Sequence, residues 1–409
     1  MERYNSYKDS GVKWLGEIPS HWEVKHLRNF LTLFSEKGYG NSQLLSVTRE
    51  KGVILRNKEN KEENHNFVPD DLSDYKHLKV GDFVINKMKS WQGSYGVSDY
   101  EGIVSPAYFT CKLHGVNPKF FSLAIRSKAY VGFFMQYSKG IRVDQWDLDP
   151  SSMKDIPFVL PSPKEQSAIA AYLDTATAKI DAAIAQQQKM IDLLNERKQI
   201  IINRAVTKGL NPNAKMKDSG VEWIGEVSED WEVMRMRYLC SITTGNKDTI
   251  NRVDDGLYPF YVRSPKVERI NTYSYDGEAV LMAGDGVGAG KVFHYVNGKF
   301  DCHQRVYNFY NIKKIKARLL YYYMKSHFRY VIEQLSAKST VDSVRLNMIQ
   351  DFMVVIPPMQ EQLDLIEYLD SQMKNLDDSI SMFGNKISLL QERKQIIINE
   401  VVTGKVKVV

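Results

Sequence analysis

The stretch Gly284-Asp-Gly-Val-Gly-Ala-Gly-Lys291 has the residue types of a phosphate-cradling loop. Its glycines would let backbone amides approach an anion, and its lysine would pair with it. The spacing does not fit. The glycines miss the G-x-x-x-x-G-K-[ST] pattern, and Val292 stands where a hydroxyl is required. Gly284, Gly286 and Ala289 satisfy the dinucleotide pattern G-x-G-x-x-A, but no long helix follows. So many glycines suit a flexible loop or a close backbone approach to a partner. Ser105-Pro-Ala-Tyr108 has the outline of a Ser/Asp/Asn-Pro-Pro-Tyr methyl-transfer loop, but Ala107 breaks it and no cofactor-binding glycine strand precedes it. Pro69, Asp70, Asp74 and Lys76 echo a nuclease core, too closely spaced to sit on two strands around a metal. Cys302 beside His303 offers two ligand types without a second pair. No Ser/His/Asp or HExxH constellation stands out, and the eight histidines are scattered. The residues describe a binding module rather than an enzyme, with no cofactor or metal expected on this chain.

Composition agrees with that class without deciding it. With 409 residues, 43% hydrophobic and 25% charged, the chain can build two or three ordinary cores. No apolar run approaches the roughly 20 residues of a membrane span, so no membrane association is expected. Met1-Glu-Arg-Tyr4 opens no apolar leader, and three distant cysteines, Cys111, Cys240 and Cys302, read as isolated thiols. Together these predict a cytoplasmic protein. A net charge of +6 is compatible with nucleic acid without demanding it. The 23 tyrosines suit an interface or reflect an AT-rich coding bias.

The elements that must position any site come from an internal duplication. Lys8-Asp-Ser-Gly-Val-Lys-Trp-Leu-Gly-Glu17 recurs as Lys217-Asp-Ser-Gly-Val-Glu-Trp-Ile-Gly-Glu226, and Trp22-Glu-Val24 recurs as Trp231-Glu-Val233. Each half closes on Glu-Arg-Lys-Gln-Ile-Ile-Ile-Asn, at 196–203 and 392–399. Pro161 with Glu165-Gln166 matches Pro357 with Glu361-Gln362. The offset is 209 residues at the Trp segment and 196 at the helix, so near-identical flanks enclose regions of unequal length. Those regions, about 25–160 and 234–356, retain kinship: Gly81-Asp-Phe-Val-Ile85 aligns with Gly277-Glu-Ala-Val-Leu281, and Gly102 with Gly298. Alternating runs at 82–86, 103–110, 279–282 and 305–310 predict strands. Helical spacing at 118–135 and 317–334 predicts helices, so each region is an α+β domain.

Two long helices follow the two regions. The first is predicted from Pro163 to about Val206, and the second over about 360–402, interrupted only by Gly384. Each would reach ~65 Å. The second carries a three-four seam at Ile366, Leu369, Met373, Leu376, Ile380, Phe383, Ile387 and Leu390, and the first repeats it at Leu173, Ile180, Ile184, Ile191 and Leu194. Gln187 replaces Phe383 in that seam, where it either fixes register or marks a solvated gap. Two copies of one seam pair most simply with each other. An antiparallel, pseudo-twofold pairing is favoured over a parallel one, because a duplicated unit then meets itself through the same face. The expected architecture is two α+β target-recognition domains separated by two long antiparallel coiled-coil helices: 1–160, spacer 161–216, 217–356 and spacer 357–409.

The combination resembles a known family. Trp-Leu-Gly-Glu-Ile-Pro-x-x-Trp (14–22), Gly-Asp-Phe-Val-Ile-Asn-Lys-Met-Lys-Ser-Trp-Gln-Gly (81–93), Gly-Ile-Val-Ser-Pro-Ala-Tyr (102–108), the P-x-x-x-E-Q helix openings and the terminal E-R-K-Q-I-I-I-N blocks are similar to the specificity subunits of type I restriction–modification systems. The likeness covers the whole chain, twice over. It implies two heads that each bind half of a bipartite DNA target, with the helices setting the gap. It implies as partners double-stranded DNA, two modification (methyltransferase) subunits carrying S-adenosylmethionine, and restriction/translocase subunits using ATP and Mg. The second head has Gly284 to Lys291 where the first has its Asn-Lys-Met-Lys-Ser-Trp loop, so the target should be asymmetric.

Affinity for DNA should come from Lys and Arg on phosphates, and sequence reading from side chains at base edges. In the first head the expected contacts are Lys87, Lys89, Trp91, Gln92 and Tyr95, with Lys139 and Arg142 in a second loop. In the second they are Lys247, Arg263, Lys266, Arg305, Lys338 and Arg345. A lone surface lysine is usually only solvated, and Trp91 is either core or contact. Trp14, Trp22, Trp223 and Trp231 are assigned to packing, and 200–202 with 396–398 to mixed docking and packing. Two other readings compete: one part of a fused restriction–methylation enzyme, and a coiled-coil adaptor that binds no DNA.

Overall fold

A computed structural model describes residues 2–57, 68–140, 146–336 and 343–408, with the side chains of 333–336 excluded. The chain forms two compact units, Met1–Gln187 with Asn385–Val409, and Gln188–Gly384. Both long helices are present, at Pro163–Lys208 and Met359–Val402, the second continuous through Gly384. Each unit contains one globular head, the first part of one helix and the last part of the other. In the first unit Ile169, Ala170 and Leu173 share a core with Ile397, Ile398, Val401 and Val402. In the second, Ile202 and Val206 share one with Leu365, Leu369 and Met373. Early residues of one helix thus meet late residues of the other, and the pairing in each unit is antiparallel. One ion pair marks the register in each unit. Asp181 receives Lys394 at 2.7 Å in the first, and Lys198 reaches Asp377 in the second. These are the same pair one repeat apart.

The heads share a four-stranded antiparallel sheet. In the first its order is Leu31–Phe34, Phe109–Leu113, Phe83–Ile85, Tyr95–Val97. In the second the order is Ser241–Thr244, Val306–Tyr310, Tyr275–Ala283, Phe293–Cys302, extended by Tyr258–Tyr261 and Glu268–Ile270 to six strands. The Tyr258–Tyr261 strand joins in parallel, placing Phe260 opposite Asp301. The predicted strand at 103–110 is in fact two, Gly102–Val104 and Phe109–Leu113, separated by a turn in which the Tyr108 amide donates to the Ser105 carbonyl. Likewise the predicted 118–135 helix is split into Pro118–Ile125 and Lys128–Tyr137. At the break, Arg126 donates to the carbonyls of Tyr95, Arg49 and Glu50 at 2.8, 3.1 and 2.6 Å. The second head has one helix there, Ala317–Ser336.

The repeated motifs build one joint in each unit. Trp22 and Trp231 are fully buried. The Trp231 indole donates to Glu361 at 2.8 Å, and that of Trp22 to Glu165 at 3.3 Å. Ser162 and Glu165 cap the first helix reciprocally, with Ser162 Oγ donating to the carboxylate at 2.9 Å. Burial works against the Glu165 carboxylate, but bonds from His21, Ser162 and Trp22 outweigh it and hold its pKa below the ordinary value. The neighbouring glutamine is buried in both units. Gln166 donates to the Pro161 carbonyl and accepts from the Asn117 amide, both at 2.8 Å. Gln362 does the same with Pro357 at 2.9 Å and Lys316 at 2.7 Å. The Glu-Gln pair therefore ties the Trp segment, the helix start and the head together. The end of the other helix closes the joint with a left-handed glycine: a Cβ on Gly209 would lie 3.1 Å from Trp231, and one on Gly404 3.0 Å from Trp22.

Packing was not the fate of all four tryptophans. Trp223 stacks on Phe352 at 5.3 Å and 7°, whereas Trp14 is 74% exposed. In the isoleucine blocks Ile202 and Ile398 pack in the cores, and Ile200 and Ile396 are exposed. Gln187 is buried, and its side-chain oxygen has no hydrogen-bond partner among the described residues.

Candidate nucleic-acid interface

In the second head a cationic cluster is assembled from four separate stretches of chain. Arg263 follows one strand and Arg305 precedes another, and both reach Asp285, at 3.1 and 3.6 Å. Lys247 is bridged to His303, and its carbonyl accepts from the Gln304 amide at 2.8 Å. Burial pulls the His303 pKa down, against the attraction of Asp248. The neutral ring accepts the Arg305 amide at Nδ1, 2.9 Å away. Gln304 in turn is held by Asp248 at 2.8 Å. Asp285 bridges Ser343, and the Val344 amide donates to the Gly284 carbonyl at 2.7 Å, which brings exposed Arg345 to the same loop. Among the described residues, four cations, Lys247, Arg263, Arg305 and Arg345, thus stand against two carboxylates, Asp248 and Asp285. Lys266 is apart from them, with Glu268 at 3.6 Å. Lys338 lies outside the described residues.

The first head is built differently. Residues Lys87–Gln92 form a 3₁₀ turn ended by Gly93 at φ +92°. Lys87 is tied to Asp147 at 2.9 Å, and Lys89 and Lys139 are exposed. Trp91 is half-buried, edge-on to Trp146 at 5.6 Å. Gln92 lines a groove of about 870 Å³ with Arg49, Arg126, Lys128 and Lys394. Tyr95 is not a surface contact. It is fully buried, stacked on Phe134 at 4.1 Å, and burial pushes its hydroxyl pKa far up. The strand's alternation carries it inward, so the expectation that it touches DNA is corrected. Arg142 lies outside the described residues.

Sequence reasoning passed over Asp285, Asp147 and the Asn86–Tyr108 contact, in which the amide donates to the phenol oxygen at 3.3 Å. For Asp285 the signal was available, because it sits in the glycine-rich stretch that fits no phosphate pattern. The Cys302–His303 pair does not read as a ligand set: Cys302 is buried, and burial pushes its thiol up to about 12. Among the described residues no group of three or more His, Cys, Asp or Glu could hold a metal. Among them also, no helix is long and apolar enough to cross a membrane.

The family model described as type I restriction modification DNA specificity domain matches residues 228–382. The EcoDI type I restriction enzyme specificity subunit of Escherichia coli is 28% identical over 181 residues, covering 44% of this chain and 40% of its own length. A Methanocaldococcus jannaschii chain assigned as the MjaX type I specificity subunit is 25% identical over 98% of both chains. The StySPI specificity subunit of Salmonella potsdam is 21% identical over 95% of this chain and 90% of its own. A solved structure from work on complex assembly and conformational transition of the type I R-M system shares the fold, with a TM-score of 0.66 at 14% identity over 94% of this chain and 98% of that one. With the motifs repeated in order in both halves and the heads joined to antiparallel helices, the chain is similar over nearly its whole length to type I restriction–modification DNA specificity subunits, and its second head matches that family's domain model.

Proposed function

We propose that this chain reads a bipartite, asymmetric target in double-stranded DNA, one half-site per head, with the long helices fixing the gap. One observation carries this. Both heads keep the same sheet order and the same Trp–Glu–Gln joint, yet they differ where the cations gather: a short turn with Lys87 and Lys89 in one, a glycine-rich loop among Arg263, Arg305 and Arg345 in the other. Conserved mounting with unlike reading edges suits two unlike half-sites. Lysines supply sequence-independent phosphate attraction, and planar arginines supply base discrimination. Two modification subunits carrying S-adenosylmethionine and restriction/translocase subunits using ATP and Mg provide the chemistry, in the compartment that holds the DNA. Selection from a random duplex library by this chain assembled with its modification subunits tests the proposal. Two unlike half-sites at one fixed gap are expected. No sequence preference, or a palindromic one, overturns it.

A further inference from the structure

The 284–291 loop is packed with little tolerance. A Cβ on Gly284 would meet the Tyr307 ring at 2.9 Å and the Arg305 carbonyl at 3.1 Å, and one on Gly288 the Arg263 carbonyl at 2.5 Å. Gly286 and Gly290 take φ of +69° and +62°. The Gly284 amide donates to the Arg305 carbonyl at 2.8 Å, and the Gly290 amide to Ala283 at 2.9 Å. The glycines therefore close the loop onto the two stretches that carry Arg263 and Arg305, with the Asp285 carboxylate between the two guanidinium groups. Arg263 donates one N–H to Asp285 and Arg305 meets the same carboxylate as a longer ion pair, and the two side chains stay 46% and 64% exposed.

We propose that Asp285 positions Arg263 and Arg305 as a paired reader of guanine in the half-site of the second head, an inference that rests on the DNA-reading function above. A phosphate clamp draws on net positive charge, and a carboxylate placed between two arginines works against it. A base reader gains from the same carboxylate. The guanidinium fork must be aimed in a fixed plane to meet O6 and N7 of guanine together, and a second-side hydrogen bond sets that plane. In the first head the cation held by Asp147 is Lys87, a flexible point charge.

The test uses this chain assembled with its modification subunits and its selected duplex. Each guanine of both half-sites is replaced in turn by 7-deazaguanine, which still pairs with cytosine but lacks N7. One guanine should prove sensitive, its replacement weakening binding roughly 5- to 140-fold. Arg263→Lys and Arg305→Lys should each abolish most of that sensitivity and leave the map of the other half-site unchanged. Asp285→Asn should move two readouts in opposite directions. Loss of a negative charge strengthens binding to unrelated duplex, while discrimination at the sensitive guanine falls; a merely damaged head would weaken both. The inference is overturned if no guanine in either half-site is sensitive, or if the sensitivity survives all three substitutions. A wild-type assembly that selects no bipartite target overturns the function reading instead.

Discussion

Replacing Trp231 by Phe removes one hydrogen-bond donor from the joint of the second unit while keeping an aromatic ring. The indole is fully buried and donates to Glu361 at 2.8 Å. Losing a bond to a charged acceptor costs about 1.5–3 kcal/mol, and the smaller ring leaves a void worth about 1 kcal/mol more. The equivalent Trp22→Phe should cost less. Its bond to Glu165 is 3.3 Å, and the same carboxylate keeps His21 at 2.8 Å and Ser162 at 2.9 Å. Double-mutant cycles with Glu361→Ala and Glu165→Ala isolate the two couplings. Because the chain has two compact units, a local readout is needed rather than one global midpoint. Hydrogen exchange of peptides covering 228–236 and 357–366, and of 19–27 and 161–170, provides it. We expect a coupling of about 1.5–3 kcal/mol in the second unit and about 1 kcal/mol or less in the first. Couplings below about 0.5 kcal/mol in both, or a stronger one in the first, would refute the view that the Trp–Glu bond locks each head to its helix.

Three other outcomes follow from single positions. Burial pulls the His327 pKa down to about 4, from an unfolded value near 6.5, where the ring packs against Tyr323 at 4.7 Å and Trp223 at 5.8 Å. The fold binds the neutral ring, so stability is full above about pH 6.5 and falls as pH drops toward 4, by on the order of 3 kcal/mol; His327→Phe should flatten that acid limb in exchange experiments. Gly384→Ala should stabilise its helix by about 0.5–1 kcal/mol, since a Cβ there meets nothing within 4 Å. Gly404→Ala should destabilise by at least about 1–2 kcal/mol, because φ is +76° and Trp22 lies 3.0 Å from the added atom, and thermal melts of the two variants should move in opposite directions. Lys89→Ala and Lys139→Ala, both at exposed positions, should weaken binding to all duplexes alike, each lowering the salt slope by about 1 while leaving the selected sequence intact.

What the sequence made legible was whatever repeats or has a period. The paired helices followed from the three-four seam, and the antiparallel register from a seam that must meet its own copy. The Glu-Gln motif announced a joint, though its partners, Trp231 and the Pro357 carbonyl, only became visible in three dimensions. Positions that depend on distant partners were opaque. Trp14 and Trp223 occupy the same place in one motif, yet Trp223 is covered because Phe352 and Tyr330 stand beside it, and Trp14 is left exposed. Tyr95 followed a polar, basic stretch and read as surface, but Phe83 and Phe134 enclose it. Asp285 gained its meaning only when Arg263 and Arg305 arrived from either side, 22 residues before it in the chain in one case and 20 after it in the other.

The central claim, that this chain sets the DNA address of an assembly whose other subunits do the chemistry, is tested most directly by methylome sequencing of a host with and without it. Loss of methylation at one bipartite, asymmetric motif, and at no other, is the predicted result. A methylome that does not change in a host whose modification subunits remain active would contradict the account.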